Sequence, residues 1–109
     1  MSVIPEKDWK RIRSMKDRVL DRACERIMSK VSKIVNKEEN NAHARYLEMW
    51  KMLESEDDDI AIMFDDLKRS NAIAKLASWN SRGLIADDDM KSLSQVSQES
   101  VKRLNEKWQ

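Results

Sequence analysis

The side chains with catalytic or metal-binding potential in this chain are few and scattered. His43 is the only histidine and Cys24 the only cysteine. A Ser-His-Asp relay or a His-centred metal site needs partners around the imidazole, and the polar stretch that holds His43 does not cluster them. The triplets Asp57-Asp58-Asp59 and Asp87-Asp88-Asp89 offer hard oxygen ligands. Neither has the alternating ligands, central Gly and terminal Glu of a calcium loop, so helix capping and solvation are their expected roles. A single glycine, Gly83, cannot build the Gly-rich loop that cradles phosphates. Cys24 can form no internal disulfide, and its place on an apolar stripe predicts a small buried hydrophobe. The expectation is a chain that is not an enzyme and carries no metal or cofactor.

Such sparse chemistry turns attention to the elements. One glycine and one proline in 109 residues leave the backbone few places where it is forced out of helix. The length suits one domain over residues 1–109, and a chain of this size gains from association, so a homodimer is expected. The N-terminal residues lack the apolar stretch of a signal peptide and no uncharged run approaches a membrane span, which predicts a cytoplasmic protein with no membrane partner. Net charge is +1, with strong segregation: residues 1–37 hold 11 Lys or Arg against 5 Asp or Glu, and residues 38–69 hold 4 against 10. Neutralisation within a bundle or dimer accounts for this. A nucleic-acid footprint on the basic third, through Arg11, Arg18, Arg22 and Arg26, is the competing account, and it lacks an accompanying aromatic or Gly-rich motif.

Helix signals divide the chain. Pro5 suits a first helical position, and a first helix runs from it to about Lys37 with a wide apolar face that includes Trp9, Ile12, Met15, Val19, Ala23, Ile27, Met28, Ile34 and Val35. The arginines Arg11, Arg13, Arg18, Arg22 and Arg26 fall on its solvated side. Asn36 to Asn41 is the linker. A second helix begins near Ala42 with Tyr46, Leu47, Met49, Trp50 and Leu53. The acid run Glu54 to Asp59 predicts a kink or break near Ser55, which itself could cap a new helix before Ile60, Met63, Phe64 and Leu67. A third helix starts at Ser70 or Asn71, carries Ile73, Leu76 and Ala77, and ends at Arg82 because Gly83 suits the left-handed residue beyond it. Ala86, Met90, Leu93, Ser97, Val101, Leu104 and Trp108 then form one stripe on a single final helix, with the second Asp triplet in its first turn. The fold class is all-α, four to five helices with a long first helix, in a helical-bundle homodimer.

Four tryptophans are many for so short a chain. Trp9 and Trp108 read as packing near the two ends, and Trp79 is open. Trp50 sits among Met49, Met52 and Leu53 with Glu48, Lys51 and Glu54 interleaved, an aromatic anchor with a polar rim. Ordinary core and partner surface both fit it.

The order of these landmarks resembles the fluorescence recovery proteins. The likeness spans Trp9 to Leu104: Ala23 to Val35, with Arg26 one place off, is similar to an Ala-x-x-Arg helix stretch, and Met49-Trp50-Lys51-Met52 to Leu-Trp-Lys-Leu. Phe64-Asp65-Asp66 is similar to Tyr-Asp-Asp or Tyr-Asp-Tyr, Gly83-Leu84-Ile85 to Gly-Leu-Val, and Asp88-Asp89-Met90 to Glu-Glu-Leu, with Leu93 and Val101 to Leu104 closing the pattern. Where the family has a His and an Asp after the tryptophan this chain has Leu53 and Glu54. Leu67 replaces an Arg, and Ile73 to Ala77 lacks the family's aromatics. The resemblance implies a noncatalytic all-helical homodimer that binds a carotenoid-binding protein of the orange carotenoid type and speeds its return to the resting state. It also implies a dimer or partner interface at Leu47, Met49, Trp50, Leu53 and Glu54.

Overall fold

The computed structural model describes residues 4–39 and 41–107. Trp108 and Asn40, assigned above to a stripe and to the linker, lie outside them, as do the first three residues. The described residues form helices without strands: α1 (Glu6–Val35), α2 (Ala42–Phe64), α3 (Ala72–Ser81) after a 3-10 turn at Arg69–Asn71, α4 (Asp87–Lys91) and α5 (Gln95–Lys107). The expected all-α class with a long first helix is observed. No described helix is long and apolar enough to cross a membrane.

Each boundary has a local cause. Pro5 stands one place earlier than expected: its backbone is extended (φ −55°, ψ 142°), and its carbonyl accepts the Trp9 N–H at 3.0 Å, so it caps α1 from outside. The carboxylates of Glu6 and Asp8 lie in the first turn, at the positive end of the helix dipole. The helix ends at Val35, earlier than Lys37, with Asn36 as C-cap. Asn41 caps α2, its Oδ1 accepting the Ala44 N–H at 2.8 Å.

The predicted break near Ser55 is absent: α2 is one continuous helix. Glu54, Ser55, Asp57 and Asp58 lie on its exposed side, while Glu56 pairs with Lys30 of α1 and Asp59 with Arg82 at 3.6 Å. The acid run thus marks a solvent-facing and cross-linking stripe instead of an end. The helix continues through Ser55 as far as Phe64, after which Asp65 turns extended and Asp66 enters the left-handed region (φ 58°).

Gly83 (φ +71°) closes α3 as expected. Its N–H reaches the Asn80 carbonyl and the Leu84 N–H the Trp79 carbonyl, each at 3.0 Å, which is the paired bonding of a Schellman turn. Buried Leu84 and Trp79 supply the apolar contact that accompanies it. The single final helix is instead two. The chain breaks at residues 92–94 because Asp8, at the other end of the sequence, binds the N–H and hydroxyl of Ser94 and makes it the cap of α5. Leu93, Ser97 and Val101 still face the core across the break, but Ala86 is exposed.

These helices build a head and an arm. Ile12, Met15, Val19 and Ala23 of α1 pack with Met63 and Phe64 from the end of α2, with Leu76 and Trp79 of α3, and with Leu84, Leu93 and Val101. Trp79, fully buried, stacks on Phe64 with ring centroids 5.4 Å apart and donates its indole N–H to the Met63 carbonyl at 3.0 Å. Beyond Arg26 the antiparallel α1 and α2 are knitted to each other by Lys30 to Glu56, by Lys37 to Glu48 at 2.6 Å, and by Arg45 to the Val35 carbonyl. The molecule measures 53 × 25 × 25 Å.

Candidate functional site

The arm exposes large apolar side chains that the head would bury. On α1, Cys24, Met28, Val31 and Val35 follow at spacings of 4, 3 and 4, so they share one line of the helix. Met28 is 65% exposed. On α2, Tyr46, Trp50, Leu53 and Asp57 follow at the same spacings, with Trp50 53% exposed. The two lines meet: Cys24 and Ile27 share a groove of ≈ 350 Å³ with Trp50, Leu53, Asp57 and Ile60. A two-helix arm can cover only the inward face of each helix, and nothing among the described residues covers this one.

The five residues expected at an interface divide accordingly. Trp50, Leu53 and Glu54 line the groove, and Leu47 is exposed on the same outward side of α2, one turn before Trp50. Met49 is half-buried, in step along α2 with the half-buried Met52 and Leu53 and not with exposed Trp50. Cys24 corrects the expectation of a buried hydrophobe, for its thiol is exposed because α2 shields the neighbouring line of α1 through Ile27 and Ile34 and leaves this one open. Met28, Val35 and Tyr46 join the exposed face although no motif marks them. For Met28 and Val35 the signal in the sequence is the unusual width of the apolar face on the first helix, and for Tyr46 it is the four-residue spacing to Trp50 on the second.

Four of the five arginines expected on the solvated side of α1, Arg13, Arg18, Arg22 and Arg26, are engaged. Arg18 binds Asp89 at 3.0 Å, Arg22 donates to the Leu84 carbonyl at 2.8 Å, and Arg26 donates to the carbonyls of Gly83, at 2.9 Å, and Arg82. Spaced every four residues, they hold the α3–α4 connection along one line of α1. Arg13 lies over the Trp9 ring, 5.7 Å from its centroid.

Asp8 is the buried ionisable group of the head, 1% exposed. Burial pushes its carboxyl up, but hydrogen bonds from the hydroxyls of Ser94 and Ser97 and from the Ser94 N–H, with the charge of Arg11, outweigh burial and hold it below the ordinary carboxylate value. These contacts are structural: the carboxylate ties α1 to Ser94 and Ser97 at the start of α5. His43 lies exposed in the first turn of α2. Among the described residues no three His, Cys, Asp or Glu side chains gather where they could hold a metal ion. A wider cleft of ≈ 970 Å³ includes Ile73, Val96, Leu104, Arg69 and Arg103 in its walls, with Arg69 already bound to the Ile4 carbonyl at 2.7 Å.

Comparison with protein-family models, with curated proteins and with solved structures finds no match.

Proposed function

We propose that this chain is a noncatalytic, homodimeric binding regulator of the fluorescence recovery kind, acting in the cytoplasm without a cofactor. Its task is to bind one conformation of a partner, in that family a photoactivated protein of the orange carotenoid type, more tightly than the other. Differential affinity alone shifts such an equilibrium, so no catalytic group is required. The observation that carries this reading is the uncovered apolar face of the arm with Trp50 at its centre. Half-exposed tryptophans ringed by polar residues are where interfaces concentrate their energy. Val35, Tyr46 and Leu47, exposed near the tip, extend the face beyond the groove and give a second copy its contact.

The nucleic-acid reading rests on Arg11, Arg18, Arg22 and Arg26. Three of these guanidinium groups are bound to Asp89 or to backbone carbonyls of the head, so using them on phosphates would dismantle the α3–α4 connection.

Dark reversion of a photoactivated orange carotenoid protein, followed by absorbance with and without this chain, tests the family activity. Acceleration that is lost in Trp50→Ala supports it, and an unchanged reversion rate with the chain in excess removes it. Sedimentation of the chain alone tests the homodimer.

A further inference from the structure

We propose that the occupant of the Trp50 groove is a basic amphipathic segment of the partner, apolar residues flanked by Lys and Arg, and not a second copy of this chain; this rests on the regulator reading above. Acidic side chains border the apolar face on both helices. Asp21 and Glu25 lie three residues before Cys24 and Met28 on α1, and Glu54 and Asp57 lie four residues after Trp50 and Leu53 on α2, spacings that make them helix neighbours. All four are exposed, and among the described residues none is within ion-pair distance of a Lys or Arg. Of the other acids of α2 and α4, Glu48, Glu56, Asp59 and Asp89 each have a cation, whereas exposed Asp58, Asp87 and Asp88, away from the groove lining, have none among the described residues. Lys51, exposed beside Trp50 in sequence, is the basic residue of this part of α2.

Unpaired carboxylates around an apolar centre set the sign of what can dock there. A partner that brings Lys or Arg neutralises them as the apolar centre loses water, and the same charges steer its approach. A second copy placed on the groove would set acid against acid at the moment of burial, which costs instead of contributing. An anionic membrane surface meets the same repulsion.

The test is fluorescence anisotropy of a labelled synthetic amphipathic helix of leucine and lysine, titrated with the intact chain at low and at physiological salt. A leucine–glutamate helix of the same pattern is the control. The expected result is saturable binding of the basic helix that weakens as salt rises, with no binding of the acidic one. The quadruple change Asp21→Asn, Glu25→Gln, Glu54→Gln and Asp57→Asn should weaken it roughly tenfold, the combined effect of several exposed ion pairs. Circular dichroism checks that this variant folds, and the pair Glu54→Gln and Asp57→Asn serves if it does not. Failure to bind at low salt, equal binding of the acidic helix, or unchanged affinity after neutralisation each overturns the proposal. Sedimentation of the same samples separates the two readings. A dimer that ignores the basic helix sinks the charge inference and leaves the regulator standing, whereas a monomer that binds it keeps the inference and removes the homodimer.

Discussion

The carboxylate of Asp8, in the first turn of α1, accepts at 3.0 Å the backbone N–H of Ser94, 86 residues later in the chain, and so fixes the residue whose hydroxyl caps α5. The hydroxyls of Ser94 and Ser97 complete its shell. One buried charge thereby ties the first helix to the last and meets donors that the N-terminus of α5 would otherwise leave unpaired.

Replacing Asp8 by Ala removes the acceptor that fixes the capping residue Ser94 and leaves its half-buried N–H without that partner. A loss of about 2 kcal/mol is expected, within the range for charged hydrogen bonds and helix caps. Urea denaturation gives the value, with a lowered midpoint and an unchanged slope.

Acid should expose the same residue. Its folded-state pKa lies below the ordinary 3.8, so the stability it contributes is fully present above that value. It is lost as pH falls from there through the depressed folded value. Asp8→Asn should flatten this part of the stability profile while leaving the profile above pH 5, roughly the upper edge of carboxylate titration, parallel to the parent.

Trp79 tests the head. Truncation to Ala empties a fully buried site, strips the stacking from Phe64 and leaves the Met63 carbonyl without its indole donor. A cost of about 3–5 kcal/mol follows. Trp79→Phe keeps most of the volume, loses the hydrogen bond, and should cost about 1–2 kcal/mol by thermal or chemical melting.

Gly83 is fixed by backbone and not by space. A Cβ there would meet only the Arg26 guanidinium at 3.4 Å, an ordinary contact, but φ is +71°. Gly83→Ala should therefore destabilise by about 1 kcal/mol, and Gly83→Asn by less, since Asn tolerates the left-handed region. Equal melting temperatures for all three proteins would contradict this.

Trp50→Ala should separate stability from binding. Removing a side chain already half in water changes the unfolding free energy by about 0.5 kcal/mol or less, while affinity for the partner falls by about 2 kcal/mol. Comparing chemical denaturation with a binding titration on one preparation checks both halves.

Much of this architecture is written locally. Pro5, Asn41 and Gly83 act within a few residues of themselves, and the helix ends they mark are found within a residue or two of the expected places. The division between α4 and α5 is not legible in the local sequence because its cause is Asp8, distant along the chain. The continuity of α2 is hidden for a related reason: Glu56 and Asp59 find cations on other segments, which an acid run viewed alone does not reveal. At the candidate site, Trp50 and Leu53 can be placed on a face from their spacing. Whether that face is covered depends on how many helices reach it, and periodicity along one helix does not count its neighbours. Cys24 therefore reads as buried and is not.

Because α1 is continuous from Glu6 to Val35, a single helix belongs to two environments of different solidity. Its first half is locked into the head by Ile12, Met15 and Val19, and its second half is covered on one side only. Amide hydrogen exchange along this one helix should then grade from rates set by global unfolding to rates set by local opening. Ordering the loose half on contact would consume part of the binding energy, so the arm's grip on a ligand would be set as much by how far it stiffens as by what it touches.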